Sequence, residues 1–435
     1  MRIVIAGAGR LGYSIAALLS EEGMDVVVVD GEESQLEAAK TTLDVLTIEA
    51  NIASPLTMND PDIRSADILI AVTDSDEVNI VACVLAKKHG ITHTIARIRD
   101  MNVTVQAGQY LKENFDIDLV LNPELITANE INRILMTPAA LNVEDFAQGK
   151  VRLFETRIRR RSVIARKSLK DLKLPHGVLA GLIFRDHRMI IPHGDDMFLP
   201  GDNAYFIGLP DRIEEFSQSL VPSDTHKLKR AAIIGAGRTG RGLALLLERQ
   251  GVQVKVIDRN RERCEMLAEK LTTGLAICGD GTDIDLLTED DKLNLMLALL
   301  ARHLSNNKIK TVVRVDRNEY IDLMEKVGVN IALSARLLSA SEVLAYARGG
   351  DVTRVTLLEG ARAEALEVIV SSGASVVGKK LMNANLPREC LVCAYVRNEE
   401  AAIPNGMTEL LPGDRVILFV LKSFAKKALA YFGDD

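Results

Sequence analysis

The chain opens on an unbroken apolar run, Ile3-Val4-Ile5-Ala6, which stops at a glycine-rich step, Gly7-Ala8-Gly9-Arg10-Leu11-Gly12, and resumes as an apolar-faced stretch around residues 15–19. A short run without polar alternation predicts a strand buried on both faces, and the spacing after it predicts a helix. Gly23 ends that helix, and the β-branched residues 26–29 form a second strand that closes on Asp30. The same figure returns as Ala231-Ala232-Ile233-Ile234-Gly235-Ala236-Gly237-Arg238-Thr239-Gly240, followed by apolar residues 243–247, Gly251, and residues 254–257 closing on Asp258. Glycines and aspartates keep one common offset, so the chain is an internal repeat.

Behind each copy the pattern changes to short β-branched strands separated by turn clusters, over about 151–220 and again over 352–432. Pro200-Gly201-Asp202 before Ala204-Tyr205-Phe206-Ile207 echoes Pro412-Gly413-Asp414 before Val416-Ile417-Leu418-Phe419, a turn feeding a strand in both cases. The expected fold class is α/β, with two Rossmann-like parallel-sheet nucleotide-binding domains, each followed by a small α+β domain. The expected bounds are 1–140, 141–224, 225–350 and 351–435, with the polar link Pro222-Ser223-Asp224-Thr225 between the halves.

The glycine step is G-x-G-x-x-G in strand–turn–helix context. Its first glycine permits the turn, the second lets a pyrophosphate reach the backbone, and the third lets helix and strand pack closely. The candidate phosphate loops are therefore Gly7, Ala8, Gly9, Arg10, Leu11 and Gly12, and Gly235, Ala236, Gly237, Arg238, Thr239 and Gly240, each at the positive end of a helix. Asp30 and Asp258 end the second strands, where a carboxylate accepts from ribose hydroxyls and repels a 2′-phosphate, which favours NAD(H) over NADP(H). Ala71-Val72-Thr73 leads into Asp74-Ser75-Asp76-Glu77-Val78-Asn79, so Thr73 and Asp74 are expected at the carboxyl end of a buried strand, beside the ligand's second half. Asp74 or Ser75 also suits a helix N-cap. Arg97, in Ile95-Ala96-Arg97-Ile98-Arg99, is the candidate nucleotide contact on the next strand, and Arg314 is its counterpart.

Bulk properties narrow the function. A formal charge of −7 argues against nucleic-acid binding, and the cluster Arg157, Arg159, Arg160 and Arg161 reads as a solvated strand face. No apolar run nears the ~18 residues that cross a bilayer, and the N-terminus carries no signal pattern, so the expected location is cytoplasmic. Five cysteines suit a reducing compartment. Cys390 and Cys393 fall in a predicted strand, where a three-residue step points them to opposite faces. An NAD-dependent oxidoreductase, the alternative reading, needs a general acid or base on a substrate domain. The seven histidines are scattered, with His176, His187 and His193 in the first small domain and no matching set in the second.

With these residues, the chain resembles the TrkA family, cytosolic nucleotide-binding regulators of potassium uptake that contain two RCK (KTN) domains. The resemblance spans essentially the whole chain. It rests on both glycine loops with their aspartates, the Asp74–Asn79 segment, the strand with Arg97, and Cys278-Gly279-Asp280-Gly281-Thr282-Asp283. It implies binding of NAD(H) and of adenine nucleotides such as ATP or ADP. It also implies a homo-oligomeric ring, dimer or tetramer, docked on the inner face of the cell membrane against a membrane-embedded potassium-transport subunit.

Two departures stand out. Gly279-Asp280 in the second half is matched by Ala50-Asn51 in the first, which makes Asn51, Gly279 and Asp280 candidate contacts. From Gly7 to Asn79 are 72 positions, but from Gly235 to Asn294 only 59, a deficit of 13 (72 − 59). The shortfall is where the fourth strand, the counterpart of Ile68 to Val72, is expected. A parallel sheet lacking an interior strand exposes unpaired edges, so the second site is expected to be the less complete.

Overall fold

A computed structural model describes residues 1–100, 109–137, 139–160, 162–186, 188–220, 228–279, 291–306, 308–348, 352–358 and 362–433. The chain divides into two compact units, Met1–Ala128 with Leu286–Ala347, and Asn129–Asp285 with Arg348–Asp435.

In the first unit, β1 (Arg2–Ala6), β2 (Asp25–Asp30), β3 (Leu46–Glu49), β4 (Ile68–Ala71), β5 (His93–Arg97) and β6 (Leu119–Leu121) form one parallel sheet, ordered β3-β2-β1-β4-β5-β6. Helices α1 (Arg10–Glu21), α2 (Glu33–Thr42) and α3 (Asp76–Lys88) connect its strands, and α4 (Pro123–Met136) follows it. The apolar runs are fully enclosed: Ile3, Val4, Ile5 and Ala6 are 0% exposed, as parallel strands covered on both faces should be. The order reverses between β1 and β4, so the crevice at their carboxyl ends is the topological switch point.

The second unit holds two antiparallel sheets of one plan. The first contains β7 (Asn142–Phe146), β8 (Val151–Arg157), β9 (Val178–Arg185), β10 (Arg188–Ile190) and β11 (Asn203–Gly208), followed by α5 (Pro210–Ser219). Its order, β10-β9-β11-β8-β7, recurs downstream, where the strands enter the chain after the second nucleotide-type repeat.

That second repeat is in two pieces. Strands β12 (Arg230–Ile234), β13 (Gln253–Asp258) and β14 (Leu275–Cys278), with α6 (Arg238–Arg249) and α7 (Arg261–Ala268), make a three-stranded parallel sheet in the second unit. Helix α8 (Asp291–Leu304), strand β15 (Val312–Val315), α9 (Tyr320–Val327), β16 (Ile331–Ser334) and α10 (Ala335–Arg348) follow, and β15 and β16 pair as a separate two-stranded sheet. Residues 280–290, where the shortfall falls, lie outside the described residues; on β12, Ile234 is 45% exposed, whereas its counterpart Ala6 is 0% exposed.

The last sheet, β17 (Val352–Leu358), β18 (Ala363–Ile369), β19 (Cys390–Arg397), β20 (Glu400–Ala402) and β21 (Arg415–Leu421), runs β17-β18-β21-β19-β20. The proline-glycine turns match in detail. Arg185 grips Asp202 at 2.7 Å in the first small domain, and Arg397 grips Asp414 at 2.6 Å in the second. Residues of both sheets, among them Leu153, Leu182, Tyr205, Ala365, Cys393 and Phe419, share one core. Gly181 is the bulged residue of β9, skipped by the register with β11. A Cβ there would lie 2.3 Å from the Phe419 ring, so only glycine admits that ring. Cys393 is the corresponding bulged residue of β19. The bulge alters the alternation only beyond Cys393: Cys393 joins Leu391 in the shared core while Cys390 does not, so the two thiols lie on opposite faces as expected, both of them buried. Burial pushes the Cys390 thiol up to about 12 and raises Cys393 well above the ordinary thiol value, so neither presents a thiolate at neutral pH.

Candidate functional site

The first loop is built around two glycines. Gly7 has φ of 106°, a left-handed conformation that glycine alone takes without strain. A Cβ on Gly12 would lie 1.8 Å from the Gly7 carbonyl oxygen, which is why helix α1 begins so close to β1. Gly9 differs. It is an exposed N-cap with extended backbone, and a Cβ there meets nothing within 4 Å. No side chain caps α1, and no acidic residue stands in its first turn. The helix therefore offers free N–H groups and its positive end to an incoming anion. Ala8 and Leu11 are buried beneath the loop.

Asp30 is tied to that loop. Its Oδ2 accepts from the Ala8 N–H at 2.7 Å and its Oδ1 from Glu32 N–H at 3.0 Å. A carboxylate has about four acceptor positions, so two remain for ribose hydroxyls. Asp30 was expected only as a ribose acceptor; it also organises the glycine turn.

Across the switch point, Thr73 follows β4, and its position is fixed by a residue that sequence reasoning did not single out. Asn79 on α3 is 0% exposed. Its Oδ1 accepts from Thr73 N–H at 2.9 Å and from the Thr73 hydroxyl at 2.7 Å. Its Nδ2 donates to Thr73 O at 3.2 Å and to Arg97 O at 2.9 Å. One side chain thus ties the ends of β4 and β5. The available signal was a polar residue on the face of α3 that also buries Ala82, Cys83 and Ala86. Ser75, not Asp74, caps α3, accepting from Val78 N–H at 3.2 Å. Asp74 has a side chain 95% exposed and pairs with both Arg97 Nη1 and Arg99 Nη1 at 3.5 Å. Burial first, and Arg99 second, lower the Arg97 pKa, and its Nε has no partner among the described residues. Asn51, after β3, accepts from Ala53 N–H at 3.0 Å and closes a turn. Arg10 turns outward and meets Asp316, beyond β15, at 3.0 Å.

The second loop repeats the first in its own unit. Gly235 has φ of 104°, a Cβ on Gly240 would lie 1.9 Å from the Gly235 carbonyl oxygen, and Gly237 is open. Asp258 accepts from Ala236 N–H at 2.6 Å and Asn260 N–H at 2.8 Å. Arg238 and Thr239 start α6, and the Thr239 hydroxyl is buried without a partner among the described residues. Gly279 donates to Asp258 O at 3.0 Å, and Asp280 lies outside the described residues. Arg314, expected with this set, belongs to the other unit, where it is 3.4 Å from Asp316 and its carbonyl accepts from Asn294. The first set of candidates is gathered within one unit; the second is divided. Among the described residues no helix is long and apolar enough to cross a membrane, and no group of His, Cys, Asp and Glu could hold a metal ion.

The TrkA-N domain family matches residues 3–123 and 231–335, and the TrkA-C domain family matches 153–221 and 365–433. The Trk system potassium uptake protein TrkA homolog 1 of Methanosarcina mazei is 37% identical over 99% of this chain and 100% of its own length. TrkA of Halomonas elongata is 31% identical over 97% and 96%. Among solved structures, one described as the GsuK channel bound to NAD superposes with a TM-score of 0.63 at 17% identity, covering 99% of this chain and 78% of that one; at that identity the likeness concerns the fold. With both domain families matched in alternation and relatives aligned from end to end, the chain belongs to the TrkA family of Trk-system potassium uptake proteins.

Proposed function

We propose that this chain is the nucleotide-sensing regulatory subunit of a Trk-type potassium uptake system, a gating-ring component with no catalytic turnover of its own. The observation that carries the reading is the open backbone at Gly9, at the uncapped start of α1 and beside an aspartate with unused acceptor positions. A pyrophosphate fits the Gly7–Gly12 loop, and ribose hydroxyls fit Asp30. Asn51, Thr73, Asp74 and Arg97 border the remainder of a dinucleotide. NAD(H) suits this donor set, and the NAD-bound GsuK channel of the same fold supports it. ATP and ADP offer the same adenosine and phosphates. Gly235–Gly240, Asp258 and Gly279 form the corresponding second set.

The proposed partner is a membrane-embedded potassium-transport subunit, met at the cytoplasmic face by a dimeric or tetrameric ring, since closed symmetry is the usual outcome of self-association. A nucleotide would act by binding one ring conformation more tightly than another, because only differential affinity shifts an equilibrium.

The test uses calorimetric titration of NADH into the full chain, its Gly9→Ala variant and its Gly237→Ala variant. Each alanine enters open space, so melting should not change. Each should block phosphate approach at its own loop. Unchanged titration curves in both variants would refute the assignment. NADH absorbance should stay flat with keto acids or aldehydes; protein-dependent oxidation would favour the oxidoreductase instead.

A further inference from the structure

Two of the five cysteines meet beside the second glycine loop. Cys264 lies on α7, buried, with its Sγ 3.4 Å from Asp258 O and 3.6 Å from Ile277 O. Cys278 is the last residue of β14, exposed, and the register pairs it directly with Asp258. Its Sγ is 3.9 Å from Arg259 O. Both sulfurs thus face consecutive carbonyls of one turn, Cys264 at Asp258 O and Cys278 at Arg259 O. An exposed sulfur is the one an oxidant reaches first, and a buried sulfur held against the same turn can serve as its resolving thiol.

The first half supplies an internal comparison. Position 36 on α2 holds a buried leucine, and the residue paired opposite Asp30 on β3 is Glu49. The same fold positions thus carry Leu36 and Glu49 in one half and Cys264 and Cys278 in the other.

We infer that Cys264 and Cys278 form a reversible disulfide that clamps α7 to the end of β14 and makes the Asp258 pocket, but not the Asp30 pocket, responsive to peroxide. Hydrogen peroxide oxidises the Cys278 thiol to a sulfenic acid, releasing one water. The Cys264 sulfur then attacks the Cys278 sulfur, the S–O bond breaks, and the Cys264 proton leaves with the hydroxyl as a second water. Two thiols and one peroxide give one disulfide and two waters; a dithiol reductant restores both thiols. The bond draws both sulfurs away from their present carbonyl partners, which include Asp258 O. The turn that presents the Asp258 carboxylate to Ala236 and Asn260 is thereby re-set. The effect on ligand rests on the proposal that this pocket holds a nucleotide; the cross-link does not.

The experiment treats the full chain with hydrogen peroxide, blocks free thiols, and maps peptides without reduction. A linked pair of peptides containing Cys264 and Cys278, absent in Cys264→Ser and Cys278→Ser and lost on reduction, is expected. Over-oxidation of Cys278 without linkage, or linkage to other cysteines, would overturn the inference whatever the nucleotide does. In a second arm, NADH is titrated into the Asp30→Ala protein, whose first site is weakened, before and after oxidation. A several-fold weaker affinity that recovers with reductant supports the responsive pocket, and an affinity unchanged in the linked protein overturns it. If the reduced Asp30→Ala protein binds no NADH, the second nucleotide site fails, while the peptide map still decides the disulfide.

Discussion

Replacing Asn79 with alanine isolates the element that ties β4 to β5. The side chain is fully buried and uses both its oxygen and its amide, two bonds each. At about 1 kcal/mol net per hydrogen bond, four lost bonds amount to about 4 kcal/mol. The Thr73 hydroxyl recovers part of this, since it already reaches Ser75 O at 3.3 Å, but the Thr73 N–H is left without its partner. The expected cost is thus about 3–4 kcal/mol, on the order of 10 °C in melting temperature for a unit of this size. Asn79→Asp sharpens the argument. It keeps an acceptor for Thr73 but turns a negative oxygen toward the carbonyls of Thr73 and Arg97, so it should be no more stable than alanine. In the second half Asn294 likewise donates to the following strand, at Arg314 O, 3.1 Å away. Denaturant unfolding, with hydrogen exchange read at the amides of β4 and β5, measures both variants. An Asn79→Ala protein within about 1 kcal/mol of the parent, or an aspartate variant clearly more stable than the alanine one, would refute the reasoning.

Three other outcomes are expected. Gly181→Ala should destabilise the second unit by about 1–3 kcal/mol through overpacking against Phe419; urea unfolding tests it, and a neutral result would mean the ring can withdraw. Asp30→Ala and Asp258→Ala should each weaken NADH binding at their own loop and also loosen the glycine turn, seen as faster exchange of the Ala8 and Ala236 amides, whose protection would otherwise persist. The backbone N–H groups of Thr272, Thr273 and Gly274, with the Thr272 hydroxyl, depress the Glu248 pKa to about 2 from 4.5. A depressed carboxylate contributes stability in full above its unfolded pKa and loses it as pH falls through the folded one. The stability gap between the parent and Glu248→Gln should accordingly be widest near neutrality and close as pH falls from about 5 toward 2; a gap independent of pH would contradict this.

What could be read from the sequence was what has a local signature. The glycine spacing, the apolar strands and the aspartate ending each second strand are set by the residues' own sterics and burial, and they recur at one offset. The 13-residue deficit between the halves was likewise legible, because it is a matter of length alone. What escaped were contacts between residues distant along the chain. Asn79 matters through Arg97 O, Asp30 through Ala8 N–H, and Glu248 through three amides more than twenty positions away. Arg314 was assigned by analogy along the sequence, and it falls in a different unit from the Gly235–Gly240 loop. The bulge at Cys393 was not legible, since one extra residue inverts every alternation after it, although the parity of Cys390 and Cys393 before it held.

The glycine notch at Gly181 has a meaning for how such a protein can arise. If two identical chains paired these small domains about a dyad, each position would face its own copy's partner, and a ring filling a notch on one side would have to do so on the other. Here the contact runs from Gly181 to Phe419, while the positions that correspond to them, Cys393 and Ile207, carry a larger and a smaller side chain in the same core. The two halves have become complementary strangers. Joined in one polypeptide they drifted apart in shape without losing their fit, and a half that met its own duplicate would bring together two notches or two rings. Fusion of the repeat thus fixes which half partners which.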